Sequence, residues 1–376
     1  MTLPAAARAL RTQFFVTGAL FATWGVHVPT VKAHYGLGEQ ALALAMLTAG
    51  VGSLAALSQA GRVVGRHGPR AISLAMGVLC CAVLALLIAW PAYAALLVLM
   101  ALFGASASLF DVAINAEASE IERLAGKPLM SGFHGMFSLG GMFGAGLGSL
   151  APALGLSAQQ HLLLAAALAL PAIALAASAM LPLEPPSEES KQAMRLPRGS
   201  LALIGVLAAL GLIAEGAIYD WSVLFMKQER ASDVATAALA YASFSAAMAA
   251  ARFGGDWVRS HLSPRAVLQI SGSLAALGMA LALLVPIAGI ALAAFALVGF
   301  GLANVVPVLF SAASKVPGVS PAHGIAAVSS IGYLGMMAGP PLIGMVAQHS
   351  SLAWGLSAVV LFAGVMALAA RRALRV

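Results

Sequence analysis

The sequence predicts an all-α polytopic membrane protein of twelve transmembrane helices, arranged as two pseudo-symmetric six-helix halves. Three observations carry that expectation. Hydrophobic residues make up 61% of the chain and charged residues 9%, against roughly 25% charged in an average soluble domain. The Lys and Arg residues cluster in alternate gaps between apolar runs, which is the positive-inside signature. The second half also repeats landmarks of the first in an almost constant register.

Each span needs about 20 apolar residues, so a chain of 376 residues accommodates about twelve with short connections. The first run, 13–31, follows Arg8 and Arg11. It exceeds the apolar core of a secretory signal, about 7–15 residues, and reads as an uncleaved first helix. Runs at 41–60, 71–90, 94–117, 130–150 and 160–181 complete an N-terminal bundle, 1–181. Arg62, Arg66 and Arg70 divide the second run from the third, and Arg123 and Lys127 divide the fourth from the fifth. Cys80 and Cys81 are adjacent inside the third run, which fits packing and argues against a disulfide framework or metal site. The polar stretch 182–199, with Lys191, Arg195 and Arg198 among Pro, Ser and Glu, reads as a cytoplasmic linker.

A C-terminal bundle, 200–376, follows with runs at 201–226, 236–255, 265–285, 288–312, 323–346 and 352–370. Arg252, Arg259 and Arg265 group about the end of its second run, Lys315 falls after its fourth, and Arg371, Arg372 and Arg375 at its end. Only Lys32, Lys227 and Arg230 fall in the intervening gaps. An even number of spans with basic residues at both ends puts both termini in the cytoplasm. Pro307 in the tenth run and Pro340-Pro341 in the eleventh are expected to kink their helices.

The two halves align without gaps across two spans and a loop. Pro69-Arg70-Ala71 pairs with Pro264-Arg265-Ala266, Gly104 with Gly299, and Ser119 with Ser314. Gly140, Met142, Gly144 and Leu147 pair with Gly335, Met337, Gly339 and Leu342. Such internal duplication is typical of secondary transporters, which hold substrate between repeats near the membrane midplane. The glycines allow close helix approach and are expected at the interface of two rocking halves.

The loop Gly61 to Arg70 (GRVVGRHGPR) resembles the Gly-x-x-x-Asp-Arg-x-Gly-x-Arg loop of the major facilitator superfamily, between spans two and three where that superfamily carries it. Gly61, Arg66, Gly68 and Arg70 match, while Gly65 replaces the usual Asp. The second half keeps an acid, Asp256, after Arg252. FDVAINAEAS (110–119), EGAIYDW (215–221) and GYLGMMAGPPLIG (332–344) are similar to the fucose-permease-like branch and to YbjJ-type bacterial inner-membrane proteins. The Gly-Pro signature of drug antiporters belongs on the fifth span, whereas here Gly339-Pro340 sits on the eleventh. The resemblance implies that spans one, four, seven and ten line a central cavity. Polar residues concentrate there: Thr17, Thr23, Trp24 and His27; Asp111 and Asn115; Glu215, Tyr219, Asp220 and Trp221; Asn304. Spans six and twelve carry almost nothing polar.

Asp111 and Asn115, four apart, share a helical face. They serve either as a proton and solute site or as a buried polar pair tying span four to span five. Intramembrane acids default to the first reading. His134 follows Arg123 by about as many residues as Asp111 precedes it. An antiparallel hairpin brings the two to similar depth, roughly 10–15 Å below the cytoplasmic end. The imidazole is then a proton relay or a structural contact. Glu215 is a second coupling acid by the same rule. Trp221 offers a stacking face to a sugar ring or a drug, or sits in an interfacial belt. Trp24, Asn115, Tyr219, Asp220 and Asn304 complete the expected binding residues. Glu117, Glu120 and Glu122 form a solvated helix end or pair with Arg62, Arg66 or Arg70 as a cytoplasmic gate, with Asp256 as the counterpart.

These features imply a monomeric transporter of a small polar organic solute, sugar-like in preference, driven by protons through alternating access. Proton-exchanged efflux of drugs or metabolites is the alternative. No hydrolase elbow, zinc-protease helix or Walker loop appears, which argues against an enzyme. A channel lacks its filter sequence, and a sensor lacks a soluble domain. The net charge of +7 is spread over helix flanks, so anionic lipid headgroups rather than nucleic acid are its partners. No cofactor or metal is expected.

The topology is open to direct measurement. A fluorescent protein fused to the C-terminus is expected to fluoresce in the cytoplasm, and a cysteine introduced near Arg230 to be labelled from outside. The opposite pattern overturns the orientation.

Overall fold

The computed structural model describes residues 2–37, 39–151, 154–182, 198–232 and 234–374. The expected linker lies outside them apart from Pro182, Arg198 and Gly199. Among the described residues every regular element is helical. The helices are α1 (Leu3–His34), α2 (Glu39–His67), α3 (Pro69–Leu86), α4 (Tyr93–Ala125), α5 (Met130–Leu150), α6 (Ala158–Ser178), α7 (Gly199–Glu229), α8 (Val234–His261), α9 (Pro264–Leu284), α10 (Ala288–Leu302), α11 (Val305–Ala313), α12 (Pro321–His349) and α13 (Leu352–Ala373).

Helix boundaries follow local chemistry. Proline opens α1, α3 and α9 within the first turn, where its missing N–H costs nothing. Ser157 and Gln160 form a capping box on α6, and the Ser263 and Ser351 hydroxyls accept from first-turn N–H groups of α9 and α13. Gly126 ends α4 in a left-handed conformation, φ 62°, which a side chain would disfavour. Several helices outrun their apolar segments. α8 continues to His261 and α4 to Ala125, because hydropathy registers the stretch in lipid while the helix carries on into polar surroundings.

The tenth span is two helices, broken at Ala303-Asn304. Pro307 has no N–H to return to the Ala303 carbonyl four residues earlier. α12, by contrast, runs through Pro340-Pro341 without interruption. Among the described residues, nine helices are long and apolar enough to cross a membrane, with Ala288–Ala313 taken as one. α1, α5 and α8 reach similar length.

The chain divides into two compact units. The first is Met1–Leu129, Phe133–Arg195 and Pro317–Ala327; the second is Met130–Gly132, Leu196–Val316 and Val328–Val376. In the first, α4 packs on α2, α3 and α1, and α6 packs on α3 and α1. In the second, α9 packs on α13 and α10, α10 on α8, and α7 on α13 and α8. Arg230, one of the basic residues outside the alternating pattern, is a structural cap. Its Nη2 donates to the Ala282 and Leu283 carbonyls at the end of α9, 2.8 and 2.6 Å away, with the guanidinium over the Phe225 ring.

Glycines of both stripes seat helices together within each unit. A methyl group added at Gly140 would overlap the Phe15 carbonyl of α1, and one at Gly18 the Phe137 carbonyl of α5. Gly104 and Gly52 bring α4 and α2 together in the same way. In the second unit Gly335 seats on Ala209 and Gly339 on Ile213, joining α12 to α7. Without large side chains between them, backbones approach closely and dispersion holds the pair.

Gly140→Ala is therefore expected to destabilise the purified protein by about 1–3 kcal/mol through overpacking. Gly146→Ala, where the added methyl meets nothing within 4 Å, is expected to leave the melting temperature unchanged. Equal melting temperatures for the two variants would overturn the packing assigned to α1 and α5.

Candidate functional site

Two polar clusters occupy the helices, one in each unit. In the first, α4 turns a buried face inward over Val112–Ser119. Asn115 is fully enclosed. Its Nδ2 donates to the Asp111 carboxylate at 3.0 Å and to the Asp111 carbonyl at 2.9 Å. That orients the amide, so its Oδ1 faces His134 Nε2 at 3.2 Å. An amide oxygen only accepts, so Nε2 carries the hydrogen. Phe14 of α1 braces the imidazole, ring centroids 5.3 Å apart. The expected link between Asp111 and His134 thus runs through Asn115, and three side chains form one line. Asp111 at its end is half-buried.

The acids at the inner end of α4 are engaged locally. Glu117 is 3% exposed and accepts from the Leu181 N–H at 2.7 Å, with Arg70 near enough to attract it. Glu122 accepts from the Leu129 N–H at 2.9 Å, across the turn at Gly126. Glu120 pairs with Arg123 one turn on, Nε to Oε2 2.7 Å. Arg62 donates to Gln59 at 3.2 Å, and Arg66 and Arg70 are exposed. The structure gives the expected gate residues Glu117 and Glu120 local partners, with Arg70 near Glu117. The cause is reach: loop N–H groups left over at helix ends lie closer to these carboxylates than the exposed guanidiniums do.

In the second unit the acid of α7 is paired. Arg252 Nη2 lies 3.3 Å from Glu215 Oε1, and both side chains are largely buried, 8% and 16% exposed. Arg252 Nε also donates to the Ala303 carbonyl at 3.4 Å. That is the carbonyl released by Pro307. Asn304, in the break, donates to the Ala251 carbonyl at 3.5 Å and packs against Gly255. One turn along α7, the Tyr219 ring meets Tyr241 at a tilt and Phe244 edge to face on α8, ring centroids 5.0 Å apart in each case. Sequence reading missed Arg252 by grouping it with the charges beyond the span. α8 runs on to His261, so Arg252 lies about 13 Å inside the helix end; the continuing helical pattern through Trp257 was the available signal.

The remaining expected residues have different settings. Asp220 is exposed, Trp221 is half-buried with its ring edge 3.4 Å from the position a Cβ would take at Gly344, and Trp24 is buried against Phe103. Asp256 accepts from the Ser131 and Gly132 N–H groups at 2.8 and 2.7 Å and pairs with Arg259 at 3.4 Å. The first turn of α5 has no side-chain cap of its own, and this carboxylate supplies one while answering the positive end of the helix dipole.

The family model described as Major Facilitator Superfamily matches residues 12–340. An uncharacterized MFS-type transporter of Yersinia pestis is 36% identical over 97% of this chain and 95% of its own length. Membrane protein MosC of Rhizobium meliloti is 33% identical over 94% and 86%. Among solved structures, the fucose:proton symporter of E. coli aligns over 100% of both chains with a TM-score of 0.81 at 15% identity, a likeness of fold.

Removing one partner of a buried ion pair costs about 3–5 kcal/mol, because the other charge stays behind. Arg252→Ala is expected to lower the melting temperature sharply, and Arg252→Met combined with Glu215→Leu to restore most of the loss. Equal damage from the single and the double replacement would mean that the two side chains are not energetically coupled.

Proposed function

We propose that this chain, which belongs to the major facilitator superfamily, is a proton-coupled secondary transporter of the bacterial inner membrane. It moves a small polar organic solute, sugar-like in preference, by alternating access, as a monomer with both termini in the cytoplasm. The observation that carries the reading is the line Asp111–Asn115–His134 in α4 and α5. Asp111 faces a neutral amide, so its carboxyl group keeps a hydrogen-bond partner whether or not it carries a proton. An intramembrane carboxyl with that freedom suits a coupling site. His134 supplies a second titratable group two hydrogen bonds away, through Asn115.

Glu215 suits a different task. It is ion-paired with Arg252, and protonating it would leave a buried guanidinium one partner short. The pair, with Tyr219 and Asn304 nearby, offers donors and acceptors to solute hydroxyls, and we assign it to binding and orientation. This favours a polar cargo. Efflux of lipophilic cations calls for a lone acid beside a broad apolar surface, and neither acid is alone. The fold shared with a fucose:proton symporter supports the same choice. Asp256, holding the first turn of α5, is our candidate for the cytoplasmic gate.

Thermal-shift screening against sugars, polyols, amino acids, nucleosides and common drugs identifies the solute class, since a ligand stabilises the state it binds. With that solute, wild-type proteoliposomes are expected to accumulate it under an imposed pH gradient. Asp111→Asn is expected to lose accumulation by about tenfold or more, equivalent to about 1.4 kcal/mol of coupling, while still exchanging solute between equal pools. Flux that ignores the pH gradient would end the coupling reading, and full accumulation by Asp111→Asn would remove Asp111 from it.

A further inference from the structure

A second titratable pair lies in the first unit, apart from the line at Asp111. His27, toward the C-terminal end of α1, and His161, in the first turn of α6, meet with Nε2 and Nδ1 only 2.7 Å apart. Both are enclosed, 6% and 3% exposed. One hydrogen lies between the two nitrogens, because each imidazole nitrogen either donates or accepts. Two further features set the pair apart from an ordinary buried hydrogen bond. His161 Nε2 is buried without a hydrogen-bond partner, and His27 Nδ1 has only the Thr30 hydroxyl, 3.5 Å away. One of these outer nitrogens carries the hydrogen of the accepting ring, and the other is open to a further proton.

We propose that His27 and His161 form a proton-binding site separate from Asp111, which fastens α6 to α1 while one hydrogen bridges the two rings and releases α6 when the pair has taken up two added protons. The first added proton fills the open outer nitrogen and leaves the bridge in place; the second makes both facing nitrogens donors, 2.7 Å apart, and puts two positive charges on two buried rings. His161 also sits at the start of α6, where the helix dipole opposes positive charge. Among the described residues, α1, α3, α5 and α6 carry no acidic side chain to offset it. On α1, Lys32 and His34 add positive charge or neutral rings further along. α6 has no other titratable side chain. α3 offers only Cys80 and Cys81 on this side of its first turn, and α5 has nothing titratable after His134. α4 brings Tyr93, whose hydroxyl donates to the Ala41 carbonyl, and Tyr35 beyond α1 donates to the Leu87 carbonyl. Acid on the side where α1 ends and α6 begins therefore loosens that corner of the unit. The inference stands on this geometry alone and is independent of the transport reading.

The test uses purified full-length protein and reads stability rather than flux. Wild type is expected to lose melting temperature as pH falls from 8 to 5, through the range near 6.5 where free histidines charge. His161→Phe and His27→Gln are each expected to flatten that slope by about 3 °C or more. A wild-type slope retained in either variant overturns the proposal. Hydrogen exchange on unmodified protein decides the matter if neither variant folds. After correction for intrinsic rates, amides in the first two turns of α6 are expected to lose protection at pH 5, and unchanged protection overturns the proposal equally.

Discussion

A polar group inside an apolar bundle must find its partner within the protein, because lipid offers none. That constraint arranges most of what is distinctive in this chain. Arg252 is satisfied by a carboxylate from α7 and by a carbonyl that Pro307 left without its helical partner. The proline thus serves the arginine: a residue that breaks the tenth span creates the acceptor that a buried cation on α8 requires. Asn115 serves both neighbours in the first unit by donating to Asp111 and accepting from His134. Asp256 answers the open first turn of α5. In each case a defect in one helix is matched to a side chain on another.

Close packing makes these matches possible. Gly18, Gly140 and Gly144 let α1 and α5 approach until carbonyl oxygens occupy the space a methyl group would take. His134, on α5 and braced by Phe14 of α1, depends on that approach for its position. Gly335 and Gly339 do the same for α12 against α7, the helix that carries Glu215 and Tyr219. They hold the helices close enough, and in a fixed enough register, for hydrogen bonds of about 3 Å to form.

Much of this was legible in the sequence, for physical reasons. Apolar runs and the asymmetry of basic loops translate directly into helices in lipid, and four-residue spacing put Asp111 and Asn115 on one face, where they do meet. Pro307 was readable as a break. The partners were not. Arg252 was grouped with the loop charges because hydropathy fades before α8 ends. Glu117, Glu120 and Glu122 looked like gate residues because the backbone N–H groups of Leu181 and Leu129 that claim two of them are invisible to side-chain patterns. For the glycine stripes, spacing reveals that a face is small without revealing what lies against it. The meeting of His27 with His161 requires the fold.

The central claim is a division of labour: a carboxyl on α4 that changes protonation, and a carboxylate on α7 committed to an arginine. Infrared difference spectroscopy of the purified protein across a pH titration tests it most directly, because a protonated carboxyl has a carbonyl stretch that a carboxylate lacks. The account predicts a protonated-carboxyl band that grows as pH falls, of which one component is missing in Asp111→Asn and retained in Glu215→Gln. A band unchanged by Asp111→Asn, or abolished by Glu215→Gln, would contradict it.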